Sequence, residues 1–133
     1  MWLLKTEPGT YSYADLEREG RAVWDGVTNP VALRNLRAMK AGERAFVYHT
    51  GDERAVVGRA TVVKAAYPDP RGGRERLVVV DLEPAGPLAR PVTLDAIKKM
   101  SVFADSPLVR QGRLSVVPLT AAQVRAIEDA ARP

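Results

Sequence analysis

The sequence predicts an α+β fold: a compact barrel of short strands with small helices inserted between them. Three observations predict it. Valine-dense segments of strand length recur through the middle of the chain, separated by glycine, proline and charge. Helix-capping residues stand in front of short helical stretches. At 133 residues, with 46% hydrophobic and 27% charged side chains, the chain has room for one core and reads as a single soluble domain over residues 1–133.

The elements follow in order. Trp2 to Lys5 is a short strand closed by Pro8-Gly9. Ser12 followed by Asp15 forms a capping box that opens a helix through about Glu19, and Gly20 stops it. Trp24-Asp25-Gly26 reads as a turn. Asn29-Pro30 supplies a cap and a first-turn proline for a helix to about Met39, ended by Lys40-Ala41-Gly42. Arg44 to His49, Val56 to Tyr67 and Leu77 to Leu82 are strands, with Arg71-Gly72-Gly73-Arg74 as the hairpin loop between the last two. Thr93 caps a helix to about Met100. Ser115 to Val117 is a last short strand, and Thr120 with Gln123 caps a helix ending near Ala131.

Composition removes several classes of function. The absence of cysteine excludes disulfides and thiolate-bound zinc, and a single histidine, His49, cannot supply a histidine cluster. No metal and no cofactor are expected. Met1-Trp2-Leu3-Leu4 meets Lys5 and Glu7 too soon for a signal peptide, and no apolar run approaches the ~20 residues that span a bilayer. No membrane partner is expected, and the expected location is cytoplasmic. A net charge of +4 suits a polyanionic partner, although surface lysine and arginine give the same balance in proteins that bind none.

Four segments carry residues with chemistry. In Trp24-Asp25-Gly26-Val27-Thr28-Asn29-Pro30 the indole can stack on a planar base, and Gly26 lets backbone approach a ligand. The helix opening at Asn29 points free N–H groups outward. The same residues also read as a core anchor, a turn glycine and a helix cap. In Tyr48-His49-Thr50, strand alternation sends Tyr48 and Thr50 to one face and His49 to the other. That segment offers a ring beside a hydroxyl, or an ordinary strand end. Lys5-Thr6-Glu7 combines an amine, a hydroxyl and a carboxylate, the ingredients of nucleophilic catalysis. In an extended segment, however, Thr6 faces away from both neighbours, which favours a structural or ligand-binding role. Arg110 and Arg113 flank Gln111-Gly112 ahead of Ser115, where guanidinium groups can clamp phosphate. Lys98-Lys99 and the Arg71 to Arg76 loop extend such a track or form a solvated surface.

Taken in order, Trp2-Leu3-Leu4-Lys5-Thr6-Glu7-Pro8, Trp24-Asp25-Gly26-Val27 with Asn29, Leu36 to Lys40, Tyr48-His49-Thr50, Ala66-Tyr67-Pro68-Asp69 and Arg110 to Val116 resemble the EVE domain family over nearly the whole chain. The resemblance implies a PUA-like fold, a partly open β-barrel of about five to six strands with several short peripheral helices. It also implies a non-enzymatic module holding a flipped, modified base, with 5-methylcytosine in DNA favoured over RNA and the protein acting as a monomer. On that reading Trp24 is the stacking wall and Asn29 and Thr6 are polar readers. Gly26, Val27, Tyr48, His49, Thr50 and Ser115 complete the pocket or its rim, while Lys5, Arg110 and Arg113 contact phosphate. The alternatives are a modified-RNA binder, an interaction domain without a pocket, and a nucleoside hydrolase using Lys5, Thr6 and Glu7 as ASCH-type relatives do. Two substitutions bear on ligand preference, as does the short Pro70 to Arg76 segment, where many relatives carry a long acidic, proline-rich insertion. Thr28 replaces the usual arginine before the asparagine, and Val31-Ala32-Leu33 replaces a Gln-Ala-Arg run.

Overall fold

Residues 1–72 and 76–133 are described by the computed structural model. Strands β1 (Trp2–Thr6), β2 (Ala22–Trp24), β3 (Arg44–His49), β4 (Ala55–Pro68), β5 (Val78–Thr93) and β6 (Val116–Pro118) form one sheet in the order β2-β5-β4-β3-β1-β6. Among the described residues, β1 and β3 run parallel and the other neighbouring pairs are antiparallel. Helices α1 (Tyr13–Glu19), α2 (Pro30–Ala38), α3 (Leu94–Lys98), α4 (Pro107–Arg110) and α5 (Ala121–Ala130) are short and peripheral. The sheet curls into a half-barrel, which is the PUA-like architecture expected.

Local chemistry sets the helix limits. Ser12 and Asp15 exchange hydrogen bonds across the α1 capping box, and Gly20 closes the helix at φ +74°, a conformation that favours glycine. Asn29 Oδ1 accepts from the backbone N–H groups of Val31 and Ala32 at 2.9 and 3.1 Å, with Pro30 in the first turn of α2. Thr120 and Gln123 repeat the capping box for α5.

Four elements depart from expectation. β2 is a strand where a turn was read: Trp24 pairs with Val80, and the chain turns only at Gly26, φ +79°. β5 continues past Leu82 to Thr93, through Pro84, Pro87 and Pro91. Proline lacks an N–H, but β2 covers only Ala22↔Leu82 to Trp24↔Val80 on that side. The rest of β5 is an edge, and its pairing with β4 shifts register around Gly58 and Ala60, where bulges accommodate the prolines. α3 ends at Lys98 and is followed by a 3-10 turn at Ser101–Phe103. α4 was not anticipated, although Ser106-Pro107 is the same cap-and-proline pair as Asn29-Pro30. Of the expected hairpin loop at 71–74, Gly73 and Arg74 lie outside the described residues.

One continuous core holds the barrel together. Leu3, Leu4, Phe46, Val56, Val80 and Leu82 of the sheet are fully buried, and Leu16, Leu33, Leu36 and Ile127 of the helices join them in one cluster. Each such side chain contributes roughly 1.5–3 kcal/mol by leaving water.

Candidate functional site

The curl of the sheet creates the main cavity. β2 is one edge strand and β1 lies next to the other edge, yet residues of both line the same hollow of about 580 Å³. That volume lies within the roughly 300–1,000 Å³ of small-molecule sites. Lys5 and Thr6 line it from β1 and Ser115 from the segment before β6, with the Lys5 amide donating to Ser115 O at 2.9 Å. Ala22, Val23 and Trp24 supply one wall, and Asp25, Gly26 and Val27 its rim. Thr10 and Tyr11 come from the loop before α1.

Trp24 is 7% exposed and belongs to the core, yet it borders the cavity. The two readings of this residue are therefore compatible. Packing immobilises most of the indole, and what remains is a wall whose orientation is already fixed. Tyr11 meets it edge-on, with ring centroids 6.0 Å apart and planes at 83°, the favourable T-shaped arrangement. The Tyr11 hydroxyl donates to Glu19 Oε1 at 2.5 Å; burial and this bond raise its pKa, so it stays protonated. Thr6 Oγ1 donates to Tyr11 O at 2.7 Å, which leaves its lone pairs free to accept from a ligand. Lys5 Nζ donates to Gly112 O at 2.9 Å, and burial lowers its pKa.

A charged network braces the β2 wall. Arg21 donates through Nε and a terminal nitrogen to Asp81 Oδ2 at 3.2 and 2.8 Å, and the Tyr67 hydroxyl donates to Asp81 Oδ1 at 2.5 Å. That bond pushes the Tyr67 pKa up to about 12. Burial pushes the Asp81 carboxyl up, but the bonds from Tyr67 and Arg21 and the nearby positive charges outweigh it and hold the carboxyl below its ordinary value. Its stabilising contribution is present above the unfolded pKa of about 3.9 and is lost as pH falls through the lower folded value. Thermal melts of the wild type should therefore fall below about pH 4. Asp81→Asn should be less stable at neutral pH and show a shallower acid limb; an acid limb as steep as the wild type's would refute this.

The remaining expected residues lie elsewhere. Tyr48 and Thr50 line a second hollow of about 300 Å³ that shares Lys5 with the first. His49 faces the other way, as alternation requires, and is 8% exposed. Its Nε2 accepts from the Tyr13 amide at 3.0 Å, so Nδ1 carries the proton and donates to Glu53 Oε1 at 2.9 Å. Asn29 is exposed outside both linings, with its carbonyl oxygen committed to capping α2. Arg110 bonds Ala104 O at 2.9 Å and reaches Asp105 at 3.4 Å; Arg113 is exposed. Arg71 bridges Asp25 and Asp69 at the cavity rim. Of the two substitutions, Thr28 is exposed and Leu33 is buried in the core.

Several lining residues were missed by sequence reasoning. Thr10 and Tyr11 sit just before a recognised capping box, and Arg21 just after a recognised helix stop. Their positions were legible, but their convergence depends on the curl of the sheet.

A curled six-stranded half-barrel with an aromatic-walled cavity between its edges defines a PUA-like module. The EVE domain profile matches residues 1–130, and the chain belongs to the EVE domain family. It is similar to Rpa0253 from Rhodopseudomonas palustris, with 37% identity and a TM-score of 0.91 over 98% of this chain and 91% of that one. It is similar to the human THYN1 protein solved in complex with 5-methylcytosine-containing DNA, with 28% identity and a TM-score of 0.90 over 99% of this chain and 97% of that one. Human thymocyte nuclear protein 1 is 41% identical over 80 residues, which cover 51% of this chain and 36% of that protein. The match thus spans about a third of the length of that curated relative. Among the described residues no helix is long and apolar enough to cross a membrane, and no group of at least three His, Asp or Glu side chains could hold a metal ion.

Proposed function

We propose that this protein binds nucleic acid by accepting one flipped, modified base into the Trp24 cavity, with 5-methylcytosine in DNA the favoured ligand. The observation that carries the reading is the cavity itself: it is large enough for a base, walled by fixed aromatic rings and lined by hydroxyls and an amine. Similarity to the human protein solved with 5-methylcytosine-containing DNA supports the choice of ligand.

Extruding a base costs a few kcal/mol. Stacking on an aromatic wall returns roughly 1–3 kcal/mol, and hydrogen bonds to the base edge supply the rest. Thr6 Oγ1 accepts from an exocyclic amino group, Lys5 and Ser115 donate, and Ala22, Val23 and Val27 offer apolar contact to a methyl substituent. Lys5, Arg110 and Arg113 contact the strand, and the protein acts as a monomer without chemical turnover. The hydrolytic alternative gains no support, because Glu7 is outside the cavity lining and the Thr6 hydroxyl hydrogen is committed to Tyr11 O.

Titration with oligonucleotides that differ only in cytosine against 5-methylcytosine tests the reading. The modified strand should bind more tightly. The free modified nucleoside at a hundredfold excess over its Kd should stabilise the protein by about 2.7 kcal/mol, a rise in Tm of roughly 5–10 °C. Equal affinity for both strands, with no thermal shift from any modified nucleoside, would rule it out.

A further inference from the structure

The second hollow is distinct from the base cavity but shares a residue with it. Lys5 borders both. Around the hollow stand three cationic side chains, Lys5, Arg54 and Lys98, and among the described residues no carboxylate lines it. Among the described residues none of the three lies within 4.0 Å of an acidic oxygen, whereas Arg18, Arg21, Arg59 and Arg71 all have such partners. Asp95 on α3 acts on the Tyr48 hydroxyl electrostatically, as Arg54 does in the opposite sense, but Asp95 does not line the hollow. The site therefore gathers three cations in one concave surface, against the carboxylates of Glu7 beside Gly51 and Asp95 on α3, and the fields of the cations add there.

Arg54 supplies an independent observation. It is the one non-glycine residue with positive φ among the described residues, at 42°. An L side chain rarely adopts this conformation, and such outliers gather at ligand-holding positions. The hydrogen bond from the Leu94 amide to Arg54 O at 2.8 Å pins it there, at the end of the β3–β4 connection, where the first residue of β4 pairs with the last of β5. Ordinary surface solvation of an arginine requires no such backbone.

We infer that the hollow between Lys5, Arg54 and Lys98 seats the phosphodiester group next to the base held in the Trp24 cavity. The inference rests on the proposed base-holding function and extends it. A polynucleotide strand that places a base in one cavity must carry its phosphate to one side, and the shared residue Lys5 marks that side. Its ammonium has burial on one flank and an anion seat on the other. The Lys5 amine lies 5.6 Å from the centroid of the Tyr48 ring, which holds it between the two hollows. Phosphate contacts of this kind fix the register of the strand without reading its sequence.

The test uses the variants R54G and K98Q, singly and together. Glycine suits positive φ, so R54G removes the cation while keeping the backbone, and its Tm should equal or exceed that of the wild type. Lys98 is exposed, so K98Q should melt with the wild type. Fluorescence anisotropy with an oligonucleotide carrying 5-methylcytosine should show the double variant binding about tenfold more weakly, with a log–log salt slope shallower by about 1. The free nucleoside 5-methyl-2′-deoxycytidine, which has no phosphate, should raise the Tm of the double variant as much as that of the wild type. An unchanged oligonucleotide affinity and salt slope in the double variant would overturn the phosphate seat while leaving the base cavity standing. Conversely, a Trp24→Ala protein that still prefers the modified strand would sink the base-holding reading. The salt slope of the double variant would still report on the cationic hollow.

Discussion

Trp24→Ala should weaken binding of the modified strand by about 10–100-fold, the equivalent of losing one base–aromatic stack of roughly 1–3 kcal/mol. The same substitution should cost about 3–5 kcal/mol of folding stability, the usual penalty for emptying a core tryptophan site. The double loss follows from the position of the ring, which packs in the core and borders the cavity. Because a domain of this size is stable by about 5–15 kcal/mol, the alanine variant still folds at low temperature. Binding should therefore be read at 10 °C, with circular dichroism confirming the fold. Trp24→Phe keeps an aromatic wall and most of the packing, and should lose less than about tenfold in affinity. A folded alanine variant with wild-type affinity would show that the base lies elsewhere.

Gly58→Ala should destabilise the protein by about 3 kcal/mol, at the upper end of ordinary overpacking. A Cβ built on Gly58 would lie 2.6 Å from Cε2 of Tyr13 and nearer still to Cε1 and Cζ. The ring cannot swing clear, because it is anchored at both ends. The Tyr13 amide donates to His49 Nε2 at 3.0 Å; its hydroxyl donates to Arg59 O at 2.6 Å and accepts from the Gly86 amide at 3.1 Å. Gly58 itself sits between register shifts in β4, opposite Val47 on one side and Pro87 on the other, so the strand cannot slide either. In a Tyr13→Ala background the same glycine substitution should cost less than about 1 kcal/mol, a coupling that a double-mutant cycle in urea measures directly. Full additivity in that cycle would show that the ring is not what Gly58 accommodates. Since α1 begins at Tyr13, just after the Thr10–Tyr11 part of the cavity, the single variant should also weaken ligand binding.

Local signals in the sequence were sufficient wherever the determining chemistry is local. Ser12 with Asp15, Asn29 with Pro30, and Thr120 with Gln123 each fix a helix start through atoms three or fewer residues apart, and all three appear where expected. Determinants that act across the sheet were not legible. The continuation of β5 through three prolines depends on most of one edge being unpaired, a property of strand order and not of residues 83–93 themselves. Trp24 read as a turn residue because Asp25-Gly26 follows it; its strand character comes from pairing with Val80, far along the chain. The candidate site divides in the same way. Thr6, Trp24, Gly26, Val27, Ser115 and Lys5 converge on one cavity, but Tyr48 and Thr50 fall to the neighbouring hollow and His49 to an internal hydrogen-bond pair. Alternation along β3 separates those three correctly, yet it cannot say which face of the strand meets which cavity.

The position of β1 between β3 and β6 has a kinetic meaning. Lys5 of the cavity lining bonds a segment at Gly112 that is 107 positions away along the chain. Contacts of such long range close late, because the intervening loop must be ordered before they form. A chain whose last strand has not yet docked carries the aromatic wall and the β1 residues but lacks Ser115 beside them. A ligand that touches both the Trp24 side of the cavity and the Lys5–Ser115 side should therefore favour the completed barrel and slow its unfolding, which unfolding rates with and without 5-methyl-2′-deoxycytidine would measure.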